Sequence, residues 1–204
     1  MLQKFQMIGK GVNVMVVNEK ALVREMKEAY KGWGYTVMVL PGDRWVIKAS
    51  DDWIVMIEDQ DNVPNEVLAL IVLHMGYLPK PERCYRIYKG DKCVCIQKEV
   101  YKVEAESFTA MAEERRETDD APVVVRRTAL HFGRRRVWQQ TDNNRVLLIN
   151  PRYEGLMDAG GDKVIRAVGN SIYLDGEISC VYISRSDTGA KENLLNHLAQ
   201  VSWT

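Results

Sequence analysis

The segment "YTVMVLPGDRWVIKASDDWIVMIED", residues 35 to 59, constrains the fold more than any other part of the chain. It holds three runs rich in β-branched and aromatic residues, interrupted only by "PGD" and "SDD". Connections this short cannot carry the crossover that a parallel pair requires, so the three runs must form an antiparallel meander with tight turns. Asp51 and Asp52 are therefore read as turn residues rather than metal ligands.

The flanking segments extend the same reading. Asn18 offers a helix N-cap with Glu19 in the first turn, and Leu22, Met26, Ala29, Tyr30 and Trp33 follow at helical spacing until Gly32 and Gly34 interrupt. Pro64 opens a helix through "NEVLALIVLHMG", apolar on every side, with Gly76 as its stop. All-round apolarity predicts that this helix, Glu66 to Met75, is centrally buried. "CYRIYKG" and "KCVCIQKEVYK" read as a hairpin about Gly90 and Asp91, and "VEAESFTAMAEERRE" as a third helix.

The stretch "ETDDAP", 117 to 122, lacks apolar periodicity and contains a proline, which marks a boundary. Beyond it lie six β-rich runs, "PVVVRRTALHF", "RVWQQ", "RVLLIN", "DKVIRAV", "SIYLDG" and "SCVYISR", and then a terminal helix in "KENLLNHLAQVSW". Strands and helices do not alternate regularly, so the expected class is α+β: mostly antiparallel sheet with about four helices, one centrally buried. The expected units are an N-terminal α+β subdomain, 1–116, and an Arg-rich, β-rich C-terminal subdomain with the terminal helix, 123–204, able to pack as one.

Composition limits the function classes. Lys plus Arg and Asp plus Glu both total 28, so no global field holds a polyanion or an anionic membrane. The longest apolar run, "VLALIVL", is far short of a bilayer span of roughly 20 residues, and Lys4, Lys10 and Asn13 interrupt the apolar N-terminal residues as a secretory signal would not. A cytoplasmic, membrane-free protein is expected. Cys93 and Cys95 lie two apart on one face of an extended run, badly aimed for a disulfide, while Cys84 and Cys180 stand alone; all four are read as reduced and structural.

Charge is nevertheless concentrated locally. Residues 123–152 hold Arg126, Arg127, Arg134, Arg135, Arg136, Arg145 and Arg152 against one acid, Asp142, a local charge of +6. Residues 1–105 hold 11 Lys and 4 Arg, whereas residues 106–204 hold 2 Lys and 11 Arg. Arginine's planar fork suits bidentate contacts in a way that lysine's point charge does not. In an extended "RRRVWQQ", Arg134, Arg136 and Trp138 share one face and Arg135 takes the other. These seven arginines and Trp138 are the candidate binding residues. Against that reading stands "EERRETDD", 113 to 120, net −3, which can neutralise the arginines in cis.

Motifs for chemistry are lacking: the chain has no G-x-S-x-G, H-E-x-x-H, G-x-x-x-x-G-K-[ST] or G-x-G-x-x-G. His74, His131 and His197 are far apart in sequence, and His74 is read as a hydrogen-bonded core or helix-end histidine. Gly160 and Gly161, between Asp158 and Asp162, are read as a turn rather than an anion-binding nest. No catalytic residue, cofactor or metal is expected. The leading expectation is a non-catalytic binding or regulatory module that engages a protein partner. Binding of RNA, DNA or another polyanion through the Arg-rich segment 126–152 comes second, and an enzyme third.

Overall fold

The protein is described from a computed structural model covering residues 15–49, 52–90, 94–96, 98–117, 123–158, 163–168, 170–184 and 200. In chain order its elements are α1 (Glu19–Lys31), β1 (Tyr35–Val39), β2 (Trp45–Ala49), β3 (Trp53–Ile57), a short 3-10 turn (Gln60–Asn62), α2 (Asn65–Met75), β4 (Arg83–Ile87), β5 (Val94–Cys95) and α3 (Lys98–Glu117). They continue with β6 (Val123–Phe132), β7 (Arg135–Gln140), β8 (Val146–Ile149), α4 (Pro151–Glu154), β9 (Arg166–Val168), β10 (Ser171–Asp175) and β11 (Ser179–Ser184).

The class is α+β. The strands form one sheet in the order β5-β4-β1-β2-β3-β11-β10-β9-β6-β7-β8, with each neighbouring pair antiparallel. The meander appears as β1-β2-β3, with Val37 opposite Ile47 and Ile47 opposite Val55. The last strand among the described residues, β11, lies between β3 and β10 and so joins the sheet's two halves, pairing Val181 with Val55 and with Leu174.

Alternation along each strand sends side chains to two faces. On the inner face, Val37, Trp45, Val55, Val181, Leu174, Ala167, Trp138 and Leu147 belong to one continuous core with residues of α1, α2 and the segment after α4. On the outer face, Met38, Val46, Met56, Cys84, Cys180 and Tyr182 pack against Tyr101, Ala105 and Phe108 of α3. The outer face of β7 and β8 has a small core of its own in Val137, Val146 and Leu148.

α1 starts where expected, with Asn18 Oδ1 accepting from the Ala21 amide at 3.1 Å. Its C-terminal side ends at Gly34, where φ is +84° and an added Cβ would meet the Ile87 carbonyl oxygen at 2.5 Å. Glycine there lets the chain turn directly against β4.

Two expectations need correction. The helix expected to be centrally buried is α2, and it is buried on one side only. Val67, Leu70, Ile71 and Met75 enter the inner core, but Leu73 is 77% exposed and Val72 39%. Its apolar residues surround the axis, yet the sheet reaches only one side of it. The third helix starts at Lys98, where a strand continuing to Lys102 was expected. β5 ends after Val94 and Cys95, and Tyr101 instead packs as a helical residue on the outer face. The fourth described helix is the single turn α4; the expected terminal helix at 191–203 lies outside the described residues, as do Cys93, Asp51, Gly160, Gly161 and His197. No helix among the described residues is long and apolar enough to cross a membrane.

Candidate functional site

The arginines are divided by the geometry of the strands that carry them. β6 and β7 form a hairpin that turns at Gly133 and Arg134, with Gly133 at φ +58°. Arg127 lies opposite Trp138, and Arg136 opposite Ile149, which places Arg127, Arg136 and Trp138 on the inner face. Arg126 lies opposite Gln139 and turns outward, as does Arg135. Adjacent arginines on a strand must point to opposite sides. The +6 segment therefore forms two groups on opposite faces of the sheet, with Arg134 exposed at the hairpin tip.

The inner group converges on one carboxylate. α4 is capped by Asn150 Oδ1, which accepts from the Arg152 amide at 3.2 Å, and Pro151 fixes its first residue. This single turn carries Glu154 over β7. Trp138 Nε1 donates to Glu154 Oε1 at 3.0 Å, Arg136 Nε lies 3.2 Å from the same oxygen, and Arg127 Nε lies 3.2 Å from Oε2. Trp138 is 4% exposed. Its ring is packed in the core and its one donor is committed to Glu154.

The other side of α4 shows the reverse pairing. Arg152 Nε donates to Glu25 Oε2 at 2.6 Å, and Arg24 Nε donates to Glu25 Oε1 at 3.0 Å. The Glu25 side chain is 1% exposed, and its two guanidinium partners reach it from the surface. Backbone bonds pin this region: the Asn18 amide donates to the Leu156 carbonyl at 2.9 Å and the Asp158 amide to the Val16 carbonyl at 2.8 Å. Tyr153 Oη donates to Asp52 Oδ2 at 3.3 Å. Burial, then the Asp52 charge, pushes the Tyr153 phenol above its ordinary value, so it stays protonated as a donor.

A cleft of about 450 Å³ opens beside Glu154, lined by Val125, Arg127, Trp138, Met157, Lys163 and Ile165 among others. Its walls are largely apolar. Lys163 Nζ donates to the Asp158 carbonyl at 3.0 Å and the Met15 carbonyl at 3.4 Å, both neutral acceptors. Among the described residues that line it, the cleft sets Arg127 and Lys163 against the one carboxylate of Glu154, which Arg136 also approaches. A second cleft, about 210 Å³, lies between α1 and α4 and includes Glu25, Asp52, Trp53, Arg152 and Tyr153. There the acids and bases already face each other.

Of the remaining candidates, Arg145 donates from Nη2 to Asn170 Oδ1 at 2.9 Å, and Arg126 is exposed. Arg135 is half-buried, and its Nε makes no hydrogen bond. The neutralising acids expected at 113–120 have side chains outside the described residues. Glu154 and Glu25 are the partners the sequence reading missed. Glu154 falls just past the basic window, and no local spacing in the sequence points to it.

His74 stacks on Tyr30 with centroids 3.7 Å apart and shares a hydrogen bond of 3.0 Å with Tyr35 Oη. Cys84 and Cys180 are buried and unoxidised. Among the described residues no three His, Cys, Asp or Glu side chains are grouped to hold a metal ion. No protein-family model matches the chain, and no curated protein matches it in sequence.

Proposed function

We propose that the chain is a non-catalytic intracellular binding module, and that the cleft beside Glu154 takes a carboxylate-bearing segment of a protein partner. The observation that carries this reading is the charge balance of a largely apolar cleft: among the described residues that line it, Arg127 and Lys163 stand against Glu154. Arg127 is 56% exposed along its side chain while its Nε faces Glu154. Apolar walls with a cationic rim suit an extended peptide that alternates aliphatic and acidic residues. The buried, unoxidised Cys84 and Cys180 support the intracellular setting.

Polyanion binding is the second reading, favoured by exposed Arg126 and Arg134. It is weakened by Trp138, whose buried ring gives a nucleobase no face to stack on.

The test measures a fluorescein-labelled peptide of alternating Glu and Val by anisotropy, with polyuridylate in parallel. Arg127→Gln and Lys163→Gln should each weaken peptide binding roughly 3–5-fold, about 0.7–1 kcal/mol. Glu154→Gln should strengthen it, because it removes the competing internal carboxylate. Peptide binding that is absent, or indifferent to all three substitutions, overturns the proposal. Polyuridylate binding tighter than about 1 μM at physiological salt promotes the second reading instead.

A further inference from the structure

α2 has an apolar side that no part of the sheet covers. Ala69, Val72 and Leu73 are exposed at the i, i+3, i+4 spacing of one helix face, and Glu66 is the helix's only charged residue apart from the titratable His74. An exposed helix face normally carries charge, and single exposed apolar residues need no explanation. A stripe of them does.

The neighbouring helix carries a row of bases on its exposed side, with Glu28 as the one exposed acid. α1 packs beside α2, with Tyr30 stacked on His74 at their C-terminal turns. Its exposed residues include Lys20, Arg24, Lys27 and Lys31, spaced i, i+4, i+7, i+11 along one side. Lys31 is paired with Glu28 at 2.8 Å and Arg24 with Glu25, whereas Lys20 and Lys27 make no ion pair among the described residues. Lys27 lies close enough to His74 to act on its ring, so the basic row reaches the apolar stripe.

We propose that the paired surfaces of α1 and α2 form a docking site for an acidic amphipathic helix of a partner protein. The partner's apolar face would cover Val72 and Leu73, and its acidic flank would meet Lys20 and Lys27. A second copy of the chain fits less well, since it presents the same lysine excess on this face. The surface is separate from the cleft beside Glu154, and neither proposal depends on the other.

The probe is a fluorescein-labelled helical peptide of roughly 15 residues, leucine along one face and glutamate on the other. A scrambled peptide of the same composition, which has no stripe, serves as control. The full chain should bind the helical peptide at least tenfold more tightly than the scrambled one. Leu73→Glu should remove that preference; Lys27→Glu, which leaves the apolar stripe intact, should weaken binding severalfold and reduce its salt dependence. Arg127→Gln should change nothing, which separates this site from the cleft.

Equal binding of both peptides, or binding unaffected by Leu73→Glu and Lys27→Glu, overturns the proposal. So does self-association in sedimentation velocity that Leu73→Glu abolishes, since the occupant is then a second copy. Leu73-dependent binding to phosphatidylserine vesicles without binding to the peptide overturns it in favour of a lipid surface.

Discussion

Glu154 accepts from an indole and faces two guanidiniums at once, so Arg127 and Arg136 reach an outside anion only in competition with it. The alternation that divides Arg126 from Arg127 was legible in the sequence, because a strand's side-chain period admits no other result. The partner was not, since α4 is brought over β7 by tertiary packing that no local spacing encodes. His74 was legible as a hydrogen-bonded helix-end residue, and its surroundings give it a pH signature. Burial, and then the Lys27 charge, holds its pKa below the ordinary value. The unfolded chain therefore takes up this proton at a higher pH than the folded one. The stabilisation is complete above about pH 6.5 and is lost as pH falls through that value toward the folded pKa. Denaturation midpoints between about pH 7.5 and 5 should consequently decline less steeply for His74→Phe, which can still stack on Tyr30, than for the unsubstituted chain. Parallel slopes would show that His74 titrates alike in both states.

Strand positions were readable because β-branched runs between tight turns leave few alternatives: beyond residue 122 five of the six observed strands fall within the runs read there, and β7 starts one residue before its run. Helix limits and burial were harder. The run from Lys98 to Lys102 has strand-like residues, yet α3 recruits it because Tyr101 gains more by packing under Met38 and Cys84 and donating to the Val39 carbonyl at 3.3 Å. For α2 the composition was read correctly, but the number of faces it buries depends on what lies above the sheet. Two truncations make the difference measurable. Leu70→Ala, in the core side, should cost about 2–5 kcal/mol. Leu73→Ala, one turn away on the open side, should stay within about 0.5 kcal/mol in the same denaturant titration. Comparable losses at both positions would mean that Leu73 is covered.

At the scale of the molecule, one sheet runs across the boundary expected at 117–122, because β11 pairs with β3 of the first half and β10 of the second. The sequence announced a change of composition there, and composition does not say which strands will meet. Backbone amides of β3 and β10 should accordingly lose hydrogen-exchange protection in one cooperative step, at the same free energy, since opening either pairing exposes the other. Protection of β1–β3 that outlasts opening of β10 and β11 would identify two independent units. The same arrangement has a consequence while the chain is being made. β3 ends at Ile57 and its neighbour begins at Ser179, about 120 residues later. At about 5–20 residues per second, the ribosome leaves the edge of β3 unpaired for on the order of ten seconds. During that interval the backbone N–H and C=O groups on that edge of β3 lack their strand partner, which makes the nascent chain a natural client for chaperones that shield open strand edges.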